Sequence, residues 1–250
     1  MQANVDNLIA TLSRRKTGLF ALLMTALLSA LPQQSAADVA LSLAHFAAGE
    51  RALEGRVALP DVEGDLTLLL QCRTFVSKRG SARNTFCLDH DRELESLLAT
   101  LHDAVNKSRM IPAMVDGKPE AVQILFRVLF VRRGTHASVH VYENWGHDVD
   151  TLGFDYRAPQ LWSRKGTSYK CFRHDRPLVA QATIRISETG LPSGQASVEF
   201  AEGSAEDAGC EQQLKEELAA SAFIPAEANG KPVEATFTTV IGWVTSSQAN

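Results

Sequence analysis

Residues 109–120 read Arg-Met-Ile-Pro-Ala-Met-Val-Asp-Gly-Lys-Pro-Glu, and residues 222–233 read Ala-Phe-Ile-Pro-Ala-Glu-Ala-Asn-Gly-Lys-Pro-Val. Ile-Pro-Ala and Gly-Lys-Pro recur with one internal spacing: Ile111 precedes Ile224, and Gly117 precedes Gly230, by 113 positions. A helical pattern precedes each copy and an alternating run follows it. Turn chemistry repeated between matching elements points to a duplicated unit.

Ahead of the first copy, Leu66, Leu68, Leu70, Cys72, Thr74 and Val76 alternate with polar residues, as a strand buried on one face does. Lys78-Arg-Gly-Ser81 supplies a turn, and Ala82–Leu88 returns as a second strand. Asp89 or Asp91 can cap the next element, in which Leu94, Leu97, Leu98, Leu101 and Val105 share one helical face. Pro112 follows the helix end, Asp116-Gly117 turns the chain, and Val122, Ile124, Phe126, Val128 and Phe130 form another one-sided strand. The unit is ββαβ.

The second copy repeats the order. Leu178, Ala180, Ala182, Ile184 and Ile186 alternate with polar residues, Glu188–Gly194 turns, Gln195–Phe200 returns, and Cys210, Leu214 and Leu218 form a helical stripe. A strand from Val233 to Trp243 closes the unit. The 113-residue offset keeps the last strands in phase, Val122 with Ala235 and Ile124 with Phe237. Applied to the first strands it would exchange their faces, so the two hairpins must differ by an odd number of residues.

A ββαβ unit whose helix runs into a Pro-Ala turn, then Asx-Gly-x-Pro and an alternating strand, resembles the TonB C-terminal domain family. The matching residues are Glu63-Gly64, Leu88-Asp89, Ile111-Pro112-Ala113 with Gly117 and Pro119, and Ile224-Pro225-Ala226 with Gly230-Lys231-Pro232-Val233. The resemblance implies an α+β fold of two tandem ββαβ domains in the periplasm. It also implies partners that add a short segment to a sheet edge, an outer-membrane receptor among them. The Tyr-Pro dipeptide that often opens the domain is missing from both units, and so is the long proline-rich spacer of an energy transducer.

At the N-terminus, Arg14-Arg15-Lys16 precedes an apolar run from Thr17 to Leu31, then Pro32 and Ser35-Ala36-Ala37. That is the order of a secretory signal peptide, with cleavage expected after Ala37. No cysteine lies near that point, which argues against a lipid anchor. Net charge is −4 for the whole chain and −6 for residues 38–250 (22 basic, 28 acidic), so there is no electrostatic case for nucleic acid. The expected organisation is a signal peptide (1–37), an Ala-rich lead-in read as a short helix or an unordered segment (38–59), a first TonB C-terminal-like domain (60–132), an aromatic-rich packed connector (133–174) and a second such domain (175–250).

Four cysteines survive cleavage, and an even number in an oxidising compartment suggests disulfides. A first hairpin turning at Arg79-Gly80 sets Cys72 opposite Cys87, which leaves Cys171 to pair with Cys210. Within the connector, Thr135–Glu143 could form an extra strand. His136 and His140 would share a face there, the minimum for metal binding, but no clear carboxylate or cysteine completes a set. The acidic groups at Asp89–Glu93 and His147-Asp-Val-Asp150 read as a helix start and a solvated loop. No nucleophile motif or phosphate-binding loop is present, so no catalytic, cofactor or metal residue is assigned. The expected function is binding of protein or peptide partners in the cell envelope through sheet edges. The alternatives are a membrane-anchored component of TonB-type energy transduction, and a divergent enzyme or metal-binding protein using His136 and His140.

Overall fold

The computed structural model describes residues 40–49, 52–57, 64–88, 95–163, 178–201 and 208–243. The first half holds β1 (Leu41–Ser42), β2 (His45–Phe46), β3 (Leu66–Val76), β4 (Ala82–Leu88), α1 (Glu95–Lys107), β5 (Met110–Ile111), β6 (Ala113–Val115), β7 (Lys118–Glu120), β8 (Val122–Arg133) and β9 (His136–Tyr142). A short α2 (Val149–Leu152) and β10 (Gln160–Ser163) follow. The second half holds β11 (Leu178–Ile186), β12 (Ser197–Phe200), α3 (Ala208–Ala220), β13 (Ala222–Ile224), β14 (Ala226–Ala228), β15 (Lys231–Val233) and β16 (Ala235–Trp243). The fold is α+β and strand-rich.

One order of elements occurs in both halves: hairpin, helix, short strand, tight hairpin, long strand. β3 lies between β4 and β8, and β11 lies between β12 and β16, all antiparallel. α1 and α3 are offset by 113 residues at both ends. The strand partners Val76↔Val122 and Ile186↔Ala235 place the first strands only 110 apart. The halves therefore differ by three residues between turn and helix, the odd number that the hydrophobic phase demands.

The local chemistry is equally parallel. Asp116-Gly117 and Asn229-Gly230 all have positive φ (49°, 72°, 53° and 72°), as a two-residue hairpin turn requires. At the helix ends, Ser108 Oγ donates to Ala104 O (2.8 Å) and Ser221 Oγ to Glu217 O (2.6 Å). In the first turns, Ser77 N donates to Ser81 O and Ser187 N to Leu191 O. Each serine hydroxyl also accepts the amide four residues on.

Gly80 (φ 75°) and Gly190 (φ 81°) explain the repeated Ile-Pro. A Cβ on Gly80 would stand 2.2 Å from Met110 O, and one on Gly190 would stand 2.3 Å from Phe223 O. These are the carbonyls immediately before Ile111-Pro112 and Ile224-Pro225. In both halves the turn of the first hairpin lies against the start of the Ile-Pro string.

The apolar stripes pack as their periodicity predicts. Leu97, Leu101 and Val105 of α1 join Leu70, Cys72, Val76, Ile124, Phe126 and Phe130 in one core. Cys210 and Leu214 of α3 pack with Ile241 of β16.

Three expectations need correction. The lead-in opens as paired strands rather than as a helix, with a 3₁₀ position only at Gly49 among its described residues. β1 pairs with β6 and β2 with β5, and Leu43, Ala44 and Leu53 are buried. Tertiary pairing overrides the helix preference of alanine there. β8 is not one-sided: Gln123, Leu125 and Arg127 are buried as well. Its second face meets the other half, with Leu125 in a cluster with Trp145, Leu161, Phe237 and Val240, and Gln123 Nε2 donating to Thr239 Oγ1 (3.0 Å). Finally, residue 132, the expected end of the first unit, lies one position before the end of β8 and is not the end of its sheet. The first sheet continues through β9, and through β10 it takes in β13 of the second half, so the halves share a sheet.

Candidate binding edge and cleft

β9 returns along β8 after the two-residue turn Gly134-Thr135, with Arg133 facing His136. In such a hairpin the residues flanking the turn exchange main-chain hydrogen bonds and the pattern then alternates. His136, Ser138, His140 and Tyr142 thus turn their amides toward β8, while Ala137, Val139 and Val141 turn theirs outward. Among the described residues no strand pairs with that outer edge. Pairing resumes only beyond it, where Ala158 N donates to Glu143 O (2.9 Å).

β16 offers less. The Asp148 carboxylate accepts the outward amide of Thr236 (2.8 Å) and the guanidinium of Arg185 (2.6 Å), closing the start of that edge. Asp148, expected as a solvated loop residue, is therefore a structural cap. At the equivalent point of β8, Gln123 is paired by Leu161 of β10.

His136 and His140 share one face of β9, as their spacing predicts, and both lie exposed. His140 Nε2 lies 3.1 Å from Ser138 Oγ, and its ring stacks on Tyr142 at 6.5 Å. Tyr142 in turn meets Phe154, which is 60% exposed, and has the Arg127 guanidinium 5.4 Å from its ring centre. Among the described residues no group of three or more His, Cys, Asp or Glu side chains could hold a metal ion.

The aromatic connector is packed where it is described. Asn144, fully buried, accepts from Arg127 Nη2 (2.7 Å) and donates to the carbonyls of Phe154 (2.8 Å) and Tyr156 (2.9 Å). Trp145 and Tyr156 are buried, and Tyr169 lies outside the described residues.

Beside the end of β9 opens a cleft of about 340 Å³. Its walls come from the lead-in (Phe46, Ala47, Ala48, Gly49, Ala52 and Glu54), from Val141-Tyr142-Glu143, and from Asp155 and Arg157. Glu143 organises it: one oxygen accepts Phe46 N (2.6 Å) and the other lies 3.1 Å from Arg157 Nε. Arg157 also reaches Glu227 of β14 (3.6 Å). Burial pushes the Glu143 carboxyl up to about 7; the Phe46 amide and Arg157 pull it down, while Glu54 adds to the rise. Two residues away in the lead-in, buried Gln160 clamps Ala44, accepting its N–H (2.8 Å) and donating to its C=O (2.6 Å).

Gln160 and Glu143 were missed by sequence reasoning. A glutamine beside Pro159 and Leu161 was the available hint of a buried polar group. Nothing local marks Glu143.

Cys72 and Cys87 face each other on β3 and β4 and are bridged. The expected register holds at the bridge, but it shifts between Arg73 and Phe75, so that Val76 faces Ala82 at the turn. Cys210 is buried on α3, while its expected partner Cys171 lies outside the described residues. Ala37 and the Asp89–Glu93 group also lie outside them. Among the described residues no helix is long and apolar enough to cross a membrane. No protein-family model, curated protein or solved structure matches the chain.

Proposed function

We propose that this is an exported binding protein built from two tandem ββαβ units resembling TonB C-terminal domains, and that it takes protein or peptide partners of the cell envelope along a sheet edge. The observation that carries the reading is β9. It is seven residues long, exposed or half-buried throughout, carries Val139, Val141 and Tyr142, and its outward amides meet no described strand. Such an edge binds an extended segment through main-chain groups, with side-chain pockets adding selectivity. The paired turns, helix ends and glycine contacts support a duplicated unit. The signal-like N-terminus and the Cys72–Cys87 bridge support export to an oxidising compartment, with the periplasm as the proposed site.

A photo-crosslinking residue placed at Ala137 on β9, with Asn106 on the exposed face of α1 as control, tests this in intact cells. The reading expects envelope-protein adducts from position 137 and none from position 106. Adducts from neither, or equally from both, would remove β9 as the binding edge.

A further inference from the structure

We infer that the cleft beside β9 is a subsite for a basic side chain, the ammonium of lysine or the guanidinium of arginine, carried by a peptide segment paired along that strand. The inference rests on the edge reading above and adds the chemistry of what the edge selects.

Glu54, Glu143 and Asp155 line the cleft against a single described cation, Arg157. That arginine is already committed to Glu143 and Glu227. Among the described residues no cation stands against Glu54 or Asp155. The resident carboxylates oppose one another instead, since Glu54 disfavours the charged form of Glu143. A bound cation relieves that repulsion.

A divalent metal needs several converging ligands, and no such group of three exists among the described residues. An organic cation has a long apolar stem and a charged end. The cleft matches that form: Ala47, Ala48 and Val141 give apolar wall beside the carboxylates. Its volume of about 340 Å³ lies at the lower end of ordinary ligand sites.

Val141 contributes both to the cleft wall and to the outer edge of β9. Beyond it the edge is closed by the Ala158 amide on Glu143 O. A strand added to β9 must therefore end at the cleft mouth, which places its terminal side chain there.

Titration calorimetry with blocked hexapeptides tests the inference on the purified full chain. The probes are acetyl-Arg-Val-Thr-Val-Thr-Val-amide and acetyl-Val-Thr-Val-Thr-Val-Arg-amide, which cover both strand directions, their norleucine counterparts, and acetyl-arginine amide alone. One arginine peptide is expected to bind about fivefold tighter than its norleucine counterpart, as pairing with exposed carboxylates allows. In the Glu54→Gln/Asp155→Asn variant that preference should vanish. Both positions are exposed, and an unchanged melting temperature checks the fold. Equal binding of arginine and norleucine peptides would overturn the cleft inference and leave the edge reading standing. Carboxylate-dependent binding of acetyl-arginine amide, with no gain from the peptide, would remove the edge and assign the cleft to a free cation. No binding by any probe would overturn both.

Discussion

Replacing Gly80 or Gly190 by alanine probes the contact that the repeated Ile-Pro string implies. Both glycines have φ near +80°, a region that costs an alanine about 1–2 kcal/mol. Both would also place a Cβ 2.2–2.3 Å from a main-chain carbonyl oxygen, with the proline ring behind it at 3.7 and 3.4 Å. Main chain held in a sheet cannot move aside cheaply, and overpacking of this kind adds about 1–3 kcal/mol. The expected loss is about 3 kcal/mol at each site. Gly117 and Gly230 supply internal controls, because they share the positive φ but meet nothing within 4 Å. Their alanine variants should lose only the conformational part, about 1–2 kcal/mol. Urea unfolding of the four single variants gives the comparison directly. Equal losses at all four positions would refute the carbonyl contact. A large loss at Gly80 with none at Gly190 would refute the equivalence of the halves.

Other outcomes follow from the buried polar groups and the bridge. The folded chain holds the Glu143 proton more tightly than the ordinary value of 4.5 allows, so this residue's contribution is full below about 4.5 and is lost as pH rises through about 7. Urea melts at about pH 5 and about pH 8 should differ by up to roughly 3 kcal/mol from this group, and Glu143→Gln should flatten the difference. Gln160→Leu leaves the N–H and C=O of Ala44 unpaired and should cost about 2–4 kcal/mol, with faster hydrogen exchange at the Ala44 amide as the local readout. Cys72→Ala/Cys87→Ala opens a loop of 15 residues and should cost about 3 kcal/mol in chain entropy, measured by unfolding under non-reducing conditions.

Elements governed by their own periodicity were legible in the sequence. The stripe Leu97, Leu101, Val105 marks α1, the alternation from Leu66 to Val76 marks β3, and the hairpin register brings Cys72 to Cys87. The phase argument even required the odd offset between hairpins. What could not be read depends on partners far along the chain. β1 and β2 are strands because β6 and β5 pair with them, not because Leu-Ser or His-Phe prefers that state. Gln160 meets Ala44 across 116 residues, and Glu143 meets Phe46 across 97. The cleft is built from those long-range meetings, so none of its residues stood out beforehand, whereas the histidines that did stand out lie exposed on the strand beside it.

The central claim is that an extended segment pairs with the outer edge of β9, and amide hydrogen exchange measured by NMR, with and without the arginine hexapeptide, tests it most directly. The account predicts that Ala137, Val139 and Val141 exchange quickly in the free protein and become protected on binding, while Ser138, His140 and Tyr142 are already slow through β8. A peptide that binds without slowing those three outward amides would contradict strand addition at β9.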